Sequence, residues 1–194
     1  MICDLHIHVA GVGSGGSRNH LSSAFRRGRA FRIFARRLGL PPNAALLPDC
    51  DERIARQTVD WLDASVVNRG VLLAFDAAYQ GNGSPDVQNT LMMTDNDFVA
   101  DLAATHEKVL FGASIHPYRR DAVAELERLV ERGACLVKWL PGAQNIRLND
   151  ARCLRFYDAL AQHRIPLLCH TGQEHTLKAF PNSLNDPRKL APAL

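Results

Sequence analysis

With 194 residues, of which 46% are hydrophobic and 22% charged, the chain can bury one core of ordinary domain size and has the composition of a globular protein. The formal net charge is only +3, no run approaches the ~18 apolar residues of a membrane span, and no basic lead with an apolar stretch opens the chain. The expectation is a cytoplasmic protein with neither a membrane nor a nucleic acid as partner. The cysteines (Cys3, Cys50, Cys135, Cys153 and Cys169) are odd in number and form no Cys-x-x-Cys pair, which argues against a disulfide framework or a zinc ribbon.

In chain order, short apolar strands alternate with amphipathic helices. Strands are predicted near Ile2–His8, Val71–Asp76, Val109–His116, Ala134–Leu140 and Ile165–His170. Helices are predicted near Leu21–Leu38, Asp51–Asn68, Asp95–His106, Arg120–Arg132 and Asp150–His163. Asp95 and Asp150 suit helix starts, and Gly133 suits a helix stop. The first strand is followed by Gly11-Val12-Gly13-Ser14-Gly15-Gly16, which lacks the Lys-Ser/Thr ending of a phosphate loop and reads as a flexible loop, part of a lid. Between Arg18 and Arg37 stand seven arginines and no acid. Leu21, Ala24, Phe25, Phe31, Phe34, Ala35 and Leu38 recur there at helical spacing, so the arginines read as the solvated face of a packed helix.

Strand and helix alternating in this way imply parallel strands covered by helices. Each strand is apolar on both faces and ends on a polar residue: His8, Asp76, His116, Lys138 or His170. Functional groups of parallel α/β folds gather at the carboxyl ends of strands, and in a (β/α)8 barrel they converge over its mouth. The fold class expected is therefore α/β, a (β/α)8 barrel with only about its first five βα units present. Residues 1–194 form a single partial domain, with a helical insertion at about 9–69 between the first two strands. A complete doubly wound sheet is the alternative.

Side chains alternate along a strand, so Asp4, His6 and His8 share one face. Two imidazoles at that spacing can bind one ion, with Asp4 behind them orienting a ring; two histidines satisfied by backbone or solvent are the alternative. By the same parity Lys138 and His170 face inward. A third nitrogen at His170 would give the three-ligand, open-position arrangement of catalytic zinc. Lys138 needs a partner there, for which Asp76 is a candidate. His116 and Thr171 are candidates for substrate contact, with a structural placement equally open for His116, and Glu174 and His175 are read as surface residues.

Four segments carry a family resemblance: Asp-Leu-His-Ile-His in the first strand, Gly-Ala-Ser-Ile-His-Pro-Tyr-Arg after the third, Leu-Val-Lys-Trp-Leu-Pro in the fourth and Leu-Cys-His-Thr-Gly in the fifth. In these the chain resembles the amidohydrolase superfamily, in the group that includes aminocarboxymuconate-semialdehyde decarboxylase-like enzymes. The resemblance implies metal ligation by His6, His8 and His170. It also implies a catalytic place for Lys138, which stands where binuclear members carry a carbamylated lysine bridging two metals. Further ligands, a histidine after the sixth strand and an aspartate after the eighth, would lie past Leu194. The implied cofactor is a divalent metal, Zn2+ foremost on its imidazole ligands, as one ion, or two if Lys138 is carbamylated. The implied activity is metal-dependent hydrolysis of a C–N or C–O bond in a small molecule. Non-oxidative decarboxylation of an aromatic or unsaturated acid is the rival, which the arginine-rich insertion would suit, and an inactive fragment or interaction module is the reading from another class. A homo-oligomer is compatible with such a barrel.

Overall fold

The computed structural model describes residues 1–177 and 179–194. After β1 (Cys3–His8) the chain passes through β2 (His20–Leu21), α1 (Ser23–Arg27), α2 (Arg29–Arg37) and α3 (Cys50–Ala64) to β3 (Arg69–Leu73). It continues through β4 (Met92–Met93), α4 (Asn96–Thr105), β5 (Val109–Ala113), α5 (Ala122–Glu131), β6 (Ala134–Trp139), α6 (Pro141–Gln144) and α7 (Ala151–His163) to β7 (Leu167–Cys169). Two 3-10 stretches, Asn182–Asn185 and Pro187–Ala193, follow. Among the described residues no helix is long and apolar enough to cross a membrane.

The main sheet has the order β1-β3-β5-β6-β7 with every pairing parallel. Each parallel strand therefore lies beside the next one in the chain. A doubly wound sheet reverses its strand order at a switch point; this one does not, and it curls as a half-barrel. The partial (β/α) barrel is the fold, and the doubly wound alternative is set aside by strand order. β2 and β4 form a separate antiparallel pair.

Packing follows the two-faced apolar strands. Helices cover the outer face, where Phe111, Leu126, Leu129, Trp139 and Phe156 are fully or almost fully buried. Trp139 donates its indole N–H to the Ile115 carbonyl (2.7 Å) and stacks on Phe156 with ring centroids 5.5 Å apart. The inner face has only a small apolar cluster, Val71, Leu73 and Leu136, with Leu110 and Leu168 against it. The two outermost strands are less covered: in β1 every residue but Ile7 is exposed, and in β7 all are half-buried.

Two local expectations change, the unbroken helix and the loose glycine-rich loop, while Asp95 and Asp150 both stand at helix starts as expected. The helix expected over Leu21–Leu38 is broken at Gly28, which takes an extended conformation (φ −72°, ψ 163°) and both ends α1 and precedes α2. Glycine is a poor helix former, so the break costs little there. Asp150 caps α7 by accepting from the Arg152 amide, whereas Asp95 at the start of α4 makes no capping bond and pairs with Arg18.

The glycine-rich loop is not a loose lid. It wraps the carboxylate of Asp51, a residue only 2% exposed at the start of α3. That carboxylate accepts from the amides of Val12 (2.7 Å) and Gly13 (3.1 Å), from the hydroxyls of Ser14 (3.1 Å) and Ser17 (2.6 Å), and from the Asn19 amide (3.0 Å). A Cβ at Gly11 would lie 2.4 Å from Asp51 Oδ2, so the chain can pass the carboxylate only as glycine. The knot fixes the course of the chain immediately beyond β1.

Burial works against the Asp51 charge, but these hydrogen bonds outweigh it and hold its pKa below the usual carboxylate value. Its contribution is thus present above the unfolded pKa of about 4 and lost as pH falls below it. Asp51→Asn turns an amide N–H2 toward donors and is expected to cost on the order of 3 kcal/mol in urea unfolding at pH 7. A loss under about 0.5 kcal/mol would show that the knot does not hold the loop.

Candidate active site

β1 ends where its alternation brings the rings of His6 and His8 together. Their Nε2 atoms stand 3.0 Å apart, with ring centroids separated by 4.8 Å. At that distance both nitrogens cannot carry protons: one accepts from the other, or both lone pairs face a shared cation. Desolvation and the neighbouring Lys138 lower the His6 pKa, and desolvation with His6 and Lys138 brings that of His8 to about 4. Both rings are therefore neutral near pH 7, the form that ligates metals. Asp4 does not orient a ring, as its parity suggested. Its carboxylate accepts from the His6 backbone amide (2.9 Å) beside a register irregularity of β1.

Lys138 sits on the inner face of β6 and is 2% exposed. Its expected partner is taken: Asp76 faces Arg119 (3.4 Å) and accepts from the amides of Ala77 and His116 (both 2.8 Å). No acid lies within 4.0 Å of Lys138 among the described residues. Burial lowers its pKa.

His170 follows β7, tied to β6 by its amide, which donates to the Trp139 carbonyl (2.9 Å). Its Nε2 is buried and has no hydrogen-bond partner among the described residues. The nearest acid is Glu174, whose Oε2 is 3.8 Å away. Burial opposes the Glu174 charge, but amide hydrogen bonds and His170 prevail and lower its pKa.

His6, His8, Lys138, His170 and Glu174 form the polar end of one cavity of about 340 Å³. Its apolar wall comes chiefly from the insertion, through Leu21, Phe25, Phe31 and Phe34, with Leu140 and Leu177 opposite. α1 and α2 thus turn their phenylalanines to the pocket. None of the seven arginines between Arg18 and Arg37 lines it, so the arginines do not equip it for an acidic substrate. A larger cavity of about 620 Å³ lies at Arg18, Asp76, Tyr79 and Arg119. Its charges already pair with one another, as Arg18 with Asp95 and Asp97 and Arg119 with Asp76.

Two candidates for substrate contact lie elsewhere. β5 ends at Ala113, so strand parity does not extend to His116, which is fully buried between Tyr79 and Tyr118 (ring centroids 4.8 Å from each). Its Nδ1 accepts from the Tyr118 amide (3.1 Å), which leaves Nε2 to donate to the Gln144 carbonyl (2.7 Å). Thr171 is exposed and does not line the cavity. Conversely, Glu174 and the phenylalanine wall are members that sequence reasoning missed. Glu174 carries no periodic signal, since residues 170–175 form a turn and not a helix; the signal for the wall was the apolar stripe itself.

Among the described residues no three His, Cys, Asp or Glu side chains converge closely enough to hold a metal ion in this conformation. The donor set nevertheless fits one in kind. Two neutral imidazole nitrogens face each other, and the cavity they line also holds a buried ring nitrogen with no partner. An orphaned buried nitrogen is costly, and a cation is one group that would satisfy it.

A family model described as amidohydrolase matches residues 3–187. No curated protein matches the chain at a significant level. Among solved structures it is similar to a probable 2-pyrone-4,6-dicarboxylic acid hydrolase from Acinetobacter baumannii, determined with citric acid bound, at a TM-score of 0.52 and 14% identity. The alignment covers 88% of this chain and 49% of that one, so the chain spans about half the length of the structure it matches.

The buried His116 makes a pH prediction. Desolvation outweighs its bond to Gln144 and lowers its pKa to about 3. The unfolded chain takes up this proton near pH ~6.5. Between those values the unfolded state binds more protons, so stability falls as pH drops from about 6.5 toward 3 and is flat above. His116→Gln is expected to remove about one proton per molecule from that slope, read from urea midpoints across pH. An unchanged slope would contradict the neutral assignment.

Proposed function

We propose, for a chain that belongs to the amidohydrolase family, that His6, His8 and His170 hold a divalent ion and that the protein hydrolyses a C–N or C–O bond of a small molecule. The observation that carries this reading is the orphaned Nε2 of His170 in the cavity that holds the facing nitrogens of His6 and His8. Imidazole donors favour Zn2+ among common divalent ions. When bound, the ion supplies Lewis acidity, which polarises a carbonyl and acidifies water.

The chain's own residues do the rest. Phe25, Phe31 and Phe34 receive an apolar, ring-sized body and exclude water from the polar end, which strengthens the electrostatic interactions made there. Lys138 is the one Lys or Arg among the described residues of the lining. With no acid to hold it, its ammonium is free to bind a carbonyl or carboxylate oxygen and to stabilise charge that develops on it.

The same lysine favours a second reading, non-oxidative decarboxylation of an aromatic or unsaturated acid. A single buried cation beside an aromatic wall suits a substrate with one carboxylate on a flat body. The partner in both readings is a small molecule.

The two separate by product. The chain reconstituted with Zn2+, Mn2+ or Co2+ would be offered aryl esters, lactones and anilides, and in parallel aromatic carboxylic acids. Ion-dependent hydrolysis of the first group is expected, lost in His6→Ala. Release of carbon dioxide from the second group would instead establish the decarboxylase, and ion-dependent turnover of neither would overturn both. Lys138→Met is expected to lower turnover by about 100-fold while raising stability by about 1 kcal/mol, because an unpaired buried cation becomes an apolar chain of similar length.

A further inference from the structure

Among the described residues one acid, Glu174, lines this cavity, and its position is specific. Gly172, in a left-handed conformation (φ 91°), turns the chain after β7 so that residue 174 faces back toward the strand ends. Glu174 is fixed by one oxygen only: Oε1 accepts from the amides of Thr176 (2.6 Å) and Leu177 (2.9 Å). Oε2 has no such bond and stands 3.8 Å from the unpartnered Nε2 of His170. The side chain is 13% exposed, and the residue lines the cavity together with His6 and His8.

Charge sharpens the point. Lys138 puts an amine at this end of the cavity with no acid within 4.0 Å among the described residues. A carboxylate close by favours a divalent cation there. Among the described residues Glu174 is the one acid of the lining. Asp4 is engaged with a backbone amide and does not line the cavity.

We propose that Glu174 is the carboxylate ligand of the cation site, acting through Oε2 beside His170, with Oε1 anchored to the Thr176 and Leu177 amides. The inference rests on the metal reading above. The His6–His8 separation of 3.0 Å and the His170–Glu174 separation of 3.8 Å each let one ion bridge that pair, and the two pairs close on a single ion by moving together from this conformation. Two bonds of ~2.0–2.1 Å can span up to about 4 Å between ligand atoms. Anchoring one carboxylate oxygen presets the other, which lowers the ordering cost of ligation.

The test is metal binding by the 194-residue chain, independent of any turnover. The metal-free protein would be titrated with Zn2+ by calorimetry and with Co2+ by visible absorption, whose intensity and position report the ligand set. Wild type is expected to bind one ion. Glu174→Gln, which keeps shape and the Oε1 acceptor, is expected to bind about tenfold or more weakly, with a shifted Co2+ spectrum. His175→Ala, next in the chain and outside the cavity, should bind as wild type. Glu174→Leu, read the same way, replaces the amide variant if that variant does not fold.

The outcomes are distinguishable. If wild type binds one ion, His6→Ala loses it, and Glu174→Gln keeps both affinity and spectrum, Glu174 is no ligand and the metal reading stands. If wild type binds neither ion at millimolar concentration, both fall. A weaker affinity with an unchanged Co2+ spectrum would also overturn direct ligation, since it assigns Glu174 a purely electrostatic role.

Discussion

Two imidazole nitrogens 3.0 Å apart, beside a buried lysine with no acid to pair it among the described residues, define a site that is electrostatically unfinished. Interiors rarely keep such groups: an unpaired cation and an orphaned ring nitrogen each cost more than an apolar residue in the same place. The rest of the molecule is arranged so that these groups must stay where they are. Parallel pairing sets Lys138 and His170 at the ends of neighbouring strands, with His8 at the end of the opposite edge strand of the curled sheet. Backbone hydrogen bonds that do not use these side chains fix the chain that carries them, as the His170 amide does on Trp139.

The supports are themselves buried polar devices, and each is satisfied. The Asp51 knot holds the chain just past β1, and the Thr94 hydroxyl bonds the Val9 carbonyl (2.8 Å). On the other side Asn96 and Ser114 exchange two bonds (2.8 and 2.9 Å), while Gln144 bridges the Leu140 amide, the Asp76 carbonyl and the Ser114 hydroxyl. Full satisfaction in the scaffold and want of it in the cavity is the contrast expected where function is traded against stability.

Much of this was legible from the sequence for a physical reason. Strands buried on both faces must be runs of Val, Leu and Ile, so β3, β5 and β6 stand out, and parity assigns His6, His8 and Lys138 to the inner face, where they line one cavity. The limits are equally physical. Parity holds only while the ladder lasts, so it does not place His116, beyond the end of β5. The apolar stripe of residues 21–38 continues across Gly28, so the break there was invisible, and a stripe does not say whether it packs on a core or walls a pocket. Asp51 and the loop it holds are more than 30 residues apart, and Glu174 reaches the cavity by a turn with no periodic signature. Contacts of that kind are set by tertiary structure alone.

The central claim is that one cation satisfies the nitrogens that the fold leaves open. Anomalous diffraction at the zinc edge, on crystals of the Zn2+-reconstituted chain, tests it most directly. The account predicts one strong peak in the phenylalanine-walled cavity, bounded by the Nε2 atoms of His6, His8 and His170. Full-occupancy zinc only at surface histidines or cysteines, with the cavity empty and the His6–His8 contact unchanged, would contradict it.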